Sequence, residues 1–229
     1  MKKTLFTYIS VILVLIIIST SAYAYDVVGL SNFEKTSSYS NGLFKDVSAT
    51  AWYKENVAAA YEYGLMGGNG DGTFSPLGNI SIAETITVST RLYGIYHFEY
   101  APLFEDFEGL WYEPYVAYAH EYSIIDESFS NYTISATRAQ FAQILANSID
   151  PIDLEATNIV DDGAIPDVPM SSDYADAVYL LYRAGILAGS DSKGTFNPDS
   201  TITRAEAAAI ITRIVDPSLR KSIELVGEY

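Results

Sequence analysis

The chain has 229 residues and no cysteine, so neither a disulfide framework nor thiol chemistry is available to it. Its 29 Asp and Glu against 13 Lys and Arg give a formal net charge of −16, which repels the phosphates of nucleic acids. We therefore expect no nucleic-acid partner, and any anionic ligand must be held by a local site rather than by the overall field.

The amino-terminal segment has the pattern of a secretory signal. Two lysines precede an apolar run over residues 9–18, and Ala22-Tyr23-Ala24 supplies the small residues that a signal peptidase requires. We predict a signal peptide over residues 1–24, cleavage after its last alanine, and no membrane contact afterwards. A retained membrane anchor is the alternative, because the apolar run from Leu5 onward could nearly span a bilayer.

The rest of the chain divides into a leader, three similar units and a tail. They are a serine-rich leader over 25–42, which we expect to be flexible, unit one over 43–99, unit two over 100–162, unit three over 163–217 and the tail over 218–229. The units open on Phe44-Lys45-Asp46-Val47, Phe104-Glu105-Asp106-Phe107 and Ile165-Pro166-Asp167-Val168. We expect the aspartate of each opening to cap or brace the first helix of its unit.

A first helix follows each opening, with apolar residues at helical spacing. The positions are Trp52, Val57, Ala60 and Tyr61 before Gly64, then Trp111, Val116, Ala119 and Tyr122, then Val178, Leu181 and Tyr182 before Gly185. We favour Trp52 and Trp111 as anchors of the core. The alternative is that these two indoles are platforms on which sugar rings stack.

Turn-rich loops come next in units one and three, over residues 67–76 and 189–198, and unit two lacks this loop. A second helix then begins at a capping-box pattern in each unit. The pairs are Ser81 with Glu84, Thr137 with Gln140 and Thr203 with Glu206. Each unit is thus predicted as helix, loop, helix. Because one such pair cannot bury both apolar faces, the three units should pack on one another.

Unit three resembles the S-layer homology family, through Ile165-Pro166-Asp167-Val168, Gly194-Thr195-Phe196-Asn197-Pro198 and Ile202-Thr203-Arg204-Ala205-Glu206. Unit one is similar apart from Ile80-Ser81-Ile82-Ala83-Glu84, and unit two is the most degenerate. The resemblance implies an all-α fold of three repeats in a pseudo-threefold arrangement around a central three-helix bundle. It also implies secretion to a bacterial cell wall or S-layer, and grooves between repeats that bind a secondary cell-wall polysaccharide, often pyruvylated.

The candidate ligand-binding residues are Arg138, Arg204, Trp52, Trp111, Gly67 and Gly189. Both arginines stand at the start of a helix, where unpaired N–H groups favour an anion and a guanidinium can grip a carboxylate with two hydrogen bonds. A surface ion pair is the alternative for each arginine, and capping is the favoured role of Glu84, Gln140 and Glu206. Since Ile82 replaces the arginine in unit one, we expect the groove centred on unit one to be altered, leaving one or two competent grooves.

Two other functions are the alternatives to wall binding. A glycoside hydrolase would use paired carboxylates, but the chain has only two histidines, no nucleophile motif and no recurrent acidic pair outside capping or surface contexts. A structural protein could instead use the degenerate repeats for protein–protein contacts. We predict a non-catalytic protein without cofactor or metal, because the acidic turns lack the glutamate spacing of an EF-hand. A protein partner or cargo stays unidentified.

Overall fold

The computed structural model describes residues 28–104 and 107–227, so the predicted signal peptide lies outside the described residues. Almost all of the regular secondary structure in the described part is helical, which confirms the predicted all-α class. Its α-helices are α1 (Lys54–Glu62), α2 (Ile82–Phe98), α3 (Glu113–Glu121), α4 (Arg138–Ala146), α5 (Ala175–Arg183) and α6 (Arg204–Val215). Short 3₁₀ turns span Leu30–Asn32, Pro151–Asp153 and Pro217–Leu219. Two strands, β1 (Ile159–Val160) and β2 (Glu224–Leu225), pair in parallel.

The first helix of each unit ends on a residue with positive φ. Gly64 and Gly185 have φ of +70° and +72°, as their predicted helix-ending role requires. Unit two has no glycine there, and Ser123 takes the same left-handed conformation at φ +54°. In all three units the amide of the next residue returns to a carbonyl inside the helix, for example from Ile124 to Ala119 at 2.8 Å. The ends therefore share one geometry despite different sequences.

The second helix of each unit, α2, α4 and α6, begins with a capping box. The hydroxyl of Ser81, Thr137 or Thr203 accepts from the amide three residues on, and that residue's side chain accepts from the amide of the capping residue. These boxes satisfy amides that have no partner within the helix. The apolar faces behind them are buried at Ile86, Val88, Leu92, Phe141, Ile144, Leu145, Ile210, Ile211 and Ile214.

The units interlock because each first helix packs on the second helix of another unit. Helix α1 packs on α6, α3 on α2 and α5 on α4, and α2 also contacts α4. Short antiparallel bridges repeat this cyclic order, between Asn79 and Thr203, Ser81 and Ser135, and Thr137 and Thr201. No unit therefore buries its helices alone. The pseudo-threefold arrangement around a central bundle stays a prediction.

The described part of the leader contacts the domain, and the predicted flexibility of the leader stays a prediction. Phe33 is buried, and the Thr36 amide donates to the Glu62 carbonyl at 2.8 Å. The Glu62 carboxylate also accepts from the Tyr39 amide and pairs with Lys35 at 2.7 Å. The leader thus contacts the domain through the side chains of Phe33 and Tyr39 and through hydrogen bonds to Glu62.

The tail is also attached, through β2 and through a hydrogen bond from the Lys221 amide to the Gly185 carbonyl at 2.7 Å. Within residues 28–104 and 107–227, no helix combines the length and the apolar character needed to cross a membrane.

Candidate functional site

Arg204 lies in the loop of another unit. Its amide donates to the Gly78 carbonyl at 2.8 Å, which brings the start of α6 against the loop that precedes α2. The guanidinium then donates from Nε to the Phe74 carbonyl and from Nη2 to the Gly67 carbonyl, both at 2.8 Å, and it stacks 4.8 Å from the Phe74 ring. Nη1 pairs with Oε1 of Glu84. The predicted Arg204, Gly67 and Glu84 are therefore neighbours.

Arg138 occupies the corresponding place in the loop of unit three. Its amide donates to the Ser200 carbonyl and its Nε to the Phe196 carbonyl, at 2.8 and 2.7 Å. The guanidinium lies 5.3 Å from the Phe196 ring. Nη1 is 3.5 Å from Oε1 of Glu206, which is a looser pair than that of Arg204. Within the described residues, Nη2 of Arg138 has no hydrogen-bond partner.

The two loops are held in shape by the aspartates of the unit openings. Asp46 accepts hydrogen bonds from the amides of Phe74 and Ser75 at 2.8 and 2.7 Å. Asp167 does the same for Phe196 and Asn197 at 2.8 and 2.6 Å. The sequence predicted that these aspartates cap or brace the first helices, and that prediction is wrong for Asp46 and Asp167, which brace the loops. They do so because the loop amides have no secondary-structure partners. Asp106 lies outside the described residues.

Each arginine lines a separate groove. The Arg204 groove has a volume of about 500 Å³ and is lined by Leu65, Met66, Gly67, Gly68, Asn69, Ile80, Glu84, Thr87, Val88, Arg91, Trp111 and Arg204. The Arg138 groove has a volume of about 240 Å³ and is lined by Trp52, Arg138, Leu187, Ala188, Gly189, Glu206, Ala209, Ile210, Arg213 and Lys221. All six predicted ligand-binding residues are present, one arginine, one tryptophan and one loop glycine in each groove.

Trp52 and Trp111 are exposed, so the preferred expectation that they anchor the core is wrong. The exposed fractions are 64% for Trp52 and 54% for Trp111. Both precede the first turn of their helix, and each ring lies edge-on to the next tyrosine in the chain. In unit one it is Tyr53, directly after the tryptophan, that is buried. The indoles are left on the groove walls.

A third groove has no arginine. The amide of Ile82 donates to the Ile134 carbonyl at 3.0 Å, and the side chain is buried in the apolar cluster of unit two. The adjoining groove, of about 520 Å³, is lined by Ile124, Ile125, Asp126, Glu127, Ser128, Phe129, Gln140, Gln143, Ile144, Asn147, Asp173 and Tyr174. The altered groove therefore lies at unit two, and not at unit one as expected, because each helix start enters the loop of a different unit.

The charges that line the three grooves differ in sign. Arg91 and Arg204 stand against Glu84 in the Arg204 groove. In the Arg138 groove three cationic residues stand against one carboxylate, whereas the third groove has three carboxylates and no cation. Burial lowers the pKa of Arg204, and the neighbouring Glu84 and Asp46 carboxylates oppose that shift. The guanidinium stays charged at neutral pH.

One relation between units was missed by sequence reasoning. Each arginine pairs with the capping glutamate of another unit, Arg204 with Glu84 and Arg138 with Glu206. In the third such pair, between units one and two, Ile82 stands in the position of the arginine and Gln140 in that of the glutamate. The cation and its carboxylate are therefore replaced together. That joint replacement was visible in the sequence, but the cyclic packing is needed to see that the two positions form a pair.

The comparison with protein families gives a match on two segments. Residues 43–86 and 164–208 match the S-layer homology domain. These segments contain the first helix and most or all of the loop of units one and three, and the start of α2 and α6. The count of three repeats stays a prediction.

Curated relatives are similar over most of this chain. An S-layer protein of Bacillus thuringiensis subsp. finitimus is 24% identical over 173 residues, which cover 74% of this chain and 21% of that protein. An S-layer protein of Bacillus licheniformis is 26% identical over 178 residues, covering 73% and 19%. A surface-layer 125 kDa protein of Lysinibacillus sphaericus is 27% identical over 183 residues, covering 76% and 15%. The chain thus spans about a fifth or less of the length of these relatives.

Proposed function

We propose that this chain is a non-catalytic anchoring module that binds an acidic polysaccharide of a bacterial cell wall and so places the protein at the cell surface. The ligand groups would enter the Arg204 and Arg138 grooves. One observation carries the proposal: two separate grooves hold the same set of a guanidinium, an exposed indole and a loop glycine. The similarity to S-layer proteins supports the cell-surface location.

The chemistry of this set suits a sugar that carries a carboxylate, such as a pyruvylated sugar. A guanidinium binds a carboxylate through charge-assisted hydrogen bonds, each contributing about 1.5–3 kcal/mol. An indole exposed over half its surface offers a flat apolar face to a sugar ring, which amphipathic aromatic side chains commonly supply at binding surfaces. At Gly67 the space that a Cβ would occupy is open, so the backbone there allows close approach of a ligand. At Gly189 the missing side chain instead leaves room for Gly194 of the same loop.

The most direct test uses the exposed tryptophans, because removing them disturbs the core little. We expect Trp52→Ala and Trp111→Ala each to weaken retention on isolated cell-wall sacculi about tenfold, and the double variant to abolish it. Leu77→Ala is the matched control, since Leu77 is 74% exposed and lines none of the grooves described above. Binding is measured by sedimentation with sacculi at increasing protein concentration.

Two treatments of the sacculi define the ligand. Removal of the wall polysaccharide should release the wild-type protein, and mild acid that hydrolyses pyruvyl ketals should do so if the acidic group is a pyruvate. Equal retention on stripped sacculi would overturn the anchoring proposal. If both tryptophan variants and Arg138→Ala bound like wild type, the assembly function through protein–protein contacts would be favoured instead.

A further inference from the structure

The tail contributes a residue to the Arg138 groove. Lys221 lines this groove although it is far from Arg138 in sequence, and its backbone is fixed on both sides. The Lys221 amide donates to the Gly185 carbonyl at 2.7 Å, and its carbonyl accepts from Nδ2 of Asn158 at 2.9 Å. The position of this lysine is therefore set by the fold of unit three.

Close packing of the tail supports that position. A Cβ on Gly185 would lie 2.6 Å from the Lys221 carbonyl oxygen, so only glycine leaves room for the tail at this point. A Cβ on Gly194 would lie 2.5 Å from Cδ1 of Leu225. The tail thus touches both the end of α5 and the loop that carries the Phe196 carbonyl. The tail therefore forms part of the wall of the Arg138 groove.

Lys221 is the cation that distinguishes the two arginine grooves. Each groove has a second arginine that is engaged with a backbone carbonyl, Arg91 with Leu65 at 3.2 Å and Arg213 with Ile186 at 2.8 Å. The Arg204 groove has no lining residue that corresponds to Lys221. Within the described residues the Lys221 side chain has no hydrogen bond or ion pair, so its ammonium is available to a ligand.

We propose that Lys221 is a specificity-determining residue, which makes the Arg138 groove select a wall saccharide with a second anionic group beside the one that Arg138 binds. The Arg204 groove, without this lysine, accepts a saccharide with one. This inference rests on the proposed function. A lysine ammonium suits the role because it is a compact point charge that satisfies a carboxylate or a phosphate alike. On a chain with a net charge of −16, such a local cation is needed to hold a doubly anionic segment.

The test compares two synthetic disaccharides that share a pyruvylated sugar. In the first the neighbouring sugar is neutral, and in the second it is the matching uronic acid. Trp111→Ala serves as the background, so that calorimetry reports on the Arg138 groove. In this background we expect Lys221→Gln to weaken binding of the doubly anionic disaccharide about tenfold and that of the singly anionic one less than about twofold.

The matched control is Lys193→Gln, which removes the same charge from unit three at a lysine outside the described grooves. It should leave both affinities unchanged. Equal effects of Lys221→Gln on the two disaccharides, an equal effect of Lys193→Gln, or no difference from the parent all overturn the assignment. Wild-type retention on intact but not stripped sacculi would still uphold the proposed function, so the two failures are distinguishable.

A second pair of variants tests whether packing of the tail on Gly185 is needed for this selectivity. Gly185→Ala and Gly64→Ala strain the backbone alike, at φ of +72° and +70°. Only the first meets the tail, because a Cβ on Gly64 would contact just Thr36 Oγ1 at 3.4 Å. With folding checked by circular dichroism, Gly185→Ala should lose the preference for the doubly anionic disaccharide and Gly64→Ala should keep it. Retention of the preference in Gly185→Ala would contradict the role of the docked tail.

Discussion

The Arg204 and Arg138 grooves are made of corresponding residues, yet they hold their arginines differently. The Arg204 side chain is 8% exposed, and each of its three nitrogens donates to an oxygen of unit one. The Arg138 side chain is 13% exposed and is 3.5 Å from its carboxylate. Arg204 thus crosslinks two units within the fold with three of its five N–H donors, whereas Arg138 commits two of its donors within the described residues.

The difference shows that the same residue type can be tied to the fold more tightly in one groove than in the next. A buried ion pair contributes little beyond its desolvation cost, but removal of one partner is expensive because the other is left uncompensated. A more exposed, longer pair costs little to break. Replacement of Arg204 should therefore lower the free energy of unfolding more than replacement of Arg138.

The largest expected effect is on stability, from Arg204→Ala. We expect the free energy of unfolding to fall by about 3 kcal/mol, since Glu84 and two loop carbonyls lose their donor. Arg138→Ala should cost only about 1 kcal/mol. Equilibrium urea unfolding measures both. Glu84→Gln in the Arg204→Ala background should recover part of the loss, while equal losses in the two arginine variants would remove the distinction between the grooves.

The third groove extends the comparison to a site where Ile82 and Gln140 replace the arginine–glutamate pair. Ile82 is 1% exposed, so Ile82→Arg places a guanidinium in an apolar cluster with a neutral glutamine as its counterpart. We expect a loss of about 3 kcal/mol in the free energy of unfolding. Adding Gln140→Glu should recover at least about 1 kcal/mol, because the two positions would again form a pair.

Gln140→Glu alone is the control for this cycle. It should change stability by less than about 0.5 kcal/mol, since a glutamate performs the same capping at Glu84 and Glu206. Strict additivity of the two substitutions would show that positions 82 and 140 do not form a pair, and the cyclic relation between arginine and glutamate would then hold in two grooves only.

Local features of the fold were predictable because their causes are local. The side chains of Ser81 and Glu84 each accept a hydrogen bond from the other's amide, within four residues of sequence. Gly64 ends α1 because glycine adopts a positive φ without strain. Apolar spacing in α2 and α6 likewise required no knowledge of neighbours. The end of α3 was harder to predict, since Ser123 adopts a left-handed conformation that serine rarely takes.

The site was only partly predictable, because its contacts join distant segments. The sequence indicated Arg204 as a candidate, but not that its carboxylate partner lies 120 residues away. Helical spacing assigned Trp52 to the core, although it precedes the first turn of α1 and therefore lies outside the buried stripe. The position of Lys221 in the groove could not be predicted from the sequence, since it depends on a backbone hydrogen bond to Gly185. Which unit meets which groove follows from packing and not from periodicity.

The smallest expected effect distinguishes the loops of the two arginine grooves from that of the third. The Asp71 carboxylate accepts from the hydroxyl and the amide of Thr73, and Asp191 accepts from the amide and hydroxyl of Thr195. These hydrogen bonds lower the pKa of both carboxyl groups below the ordinary value of 3.8. The loop order that they provide is complete above that value and is lost as the pH falls through the lowered pKa.

Asn131 forms the corresponding turn near the third groove, where its side-chain oxygen accepts from the Thr133 amide at 2.9 Å and does not titrate. Between pH 5 and pH 2, the amide signals of Thr73 and Thr195 should therefore shift in an NMR titration before that of Thr133. Asp71→Asn should abolish the early shift of Thr73 and leave that of Thr195. Simultaneous movement of all three amides would indicate global acid unfolding, and the charged loops would then have no separate response to pH.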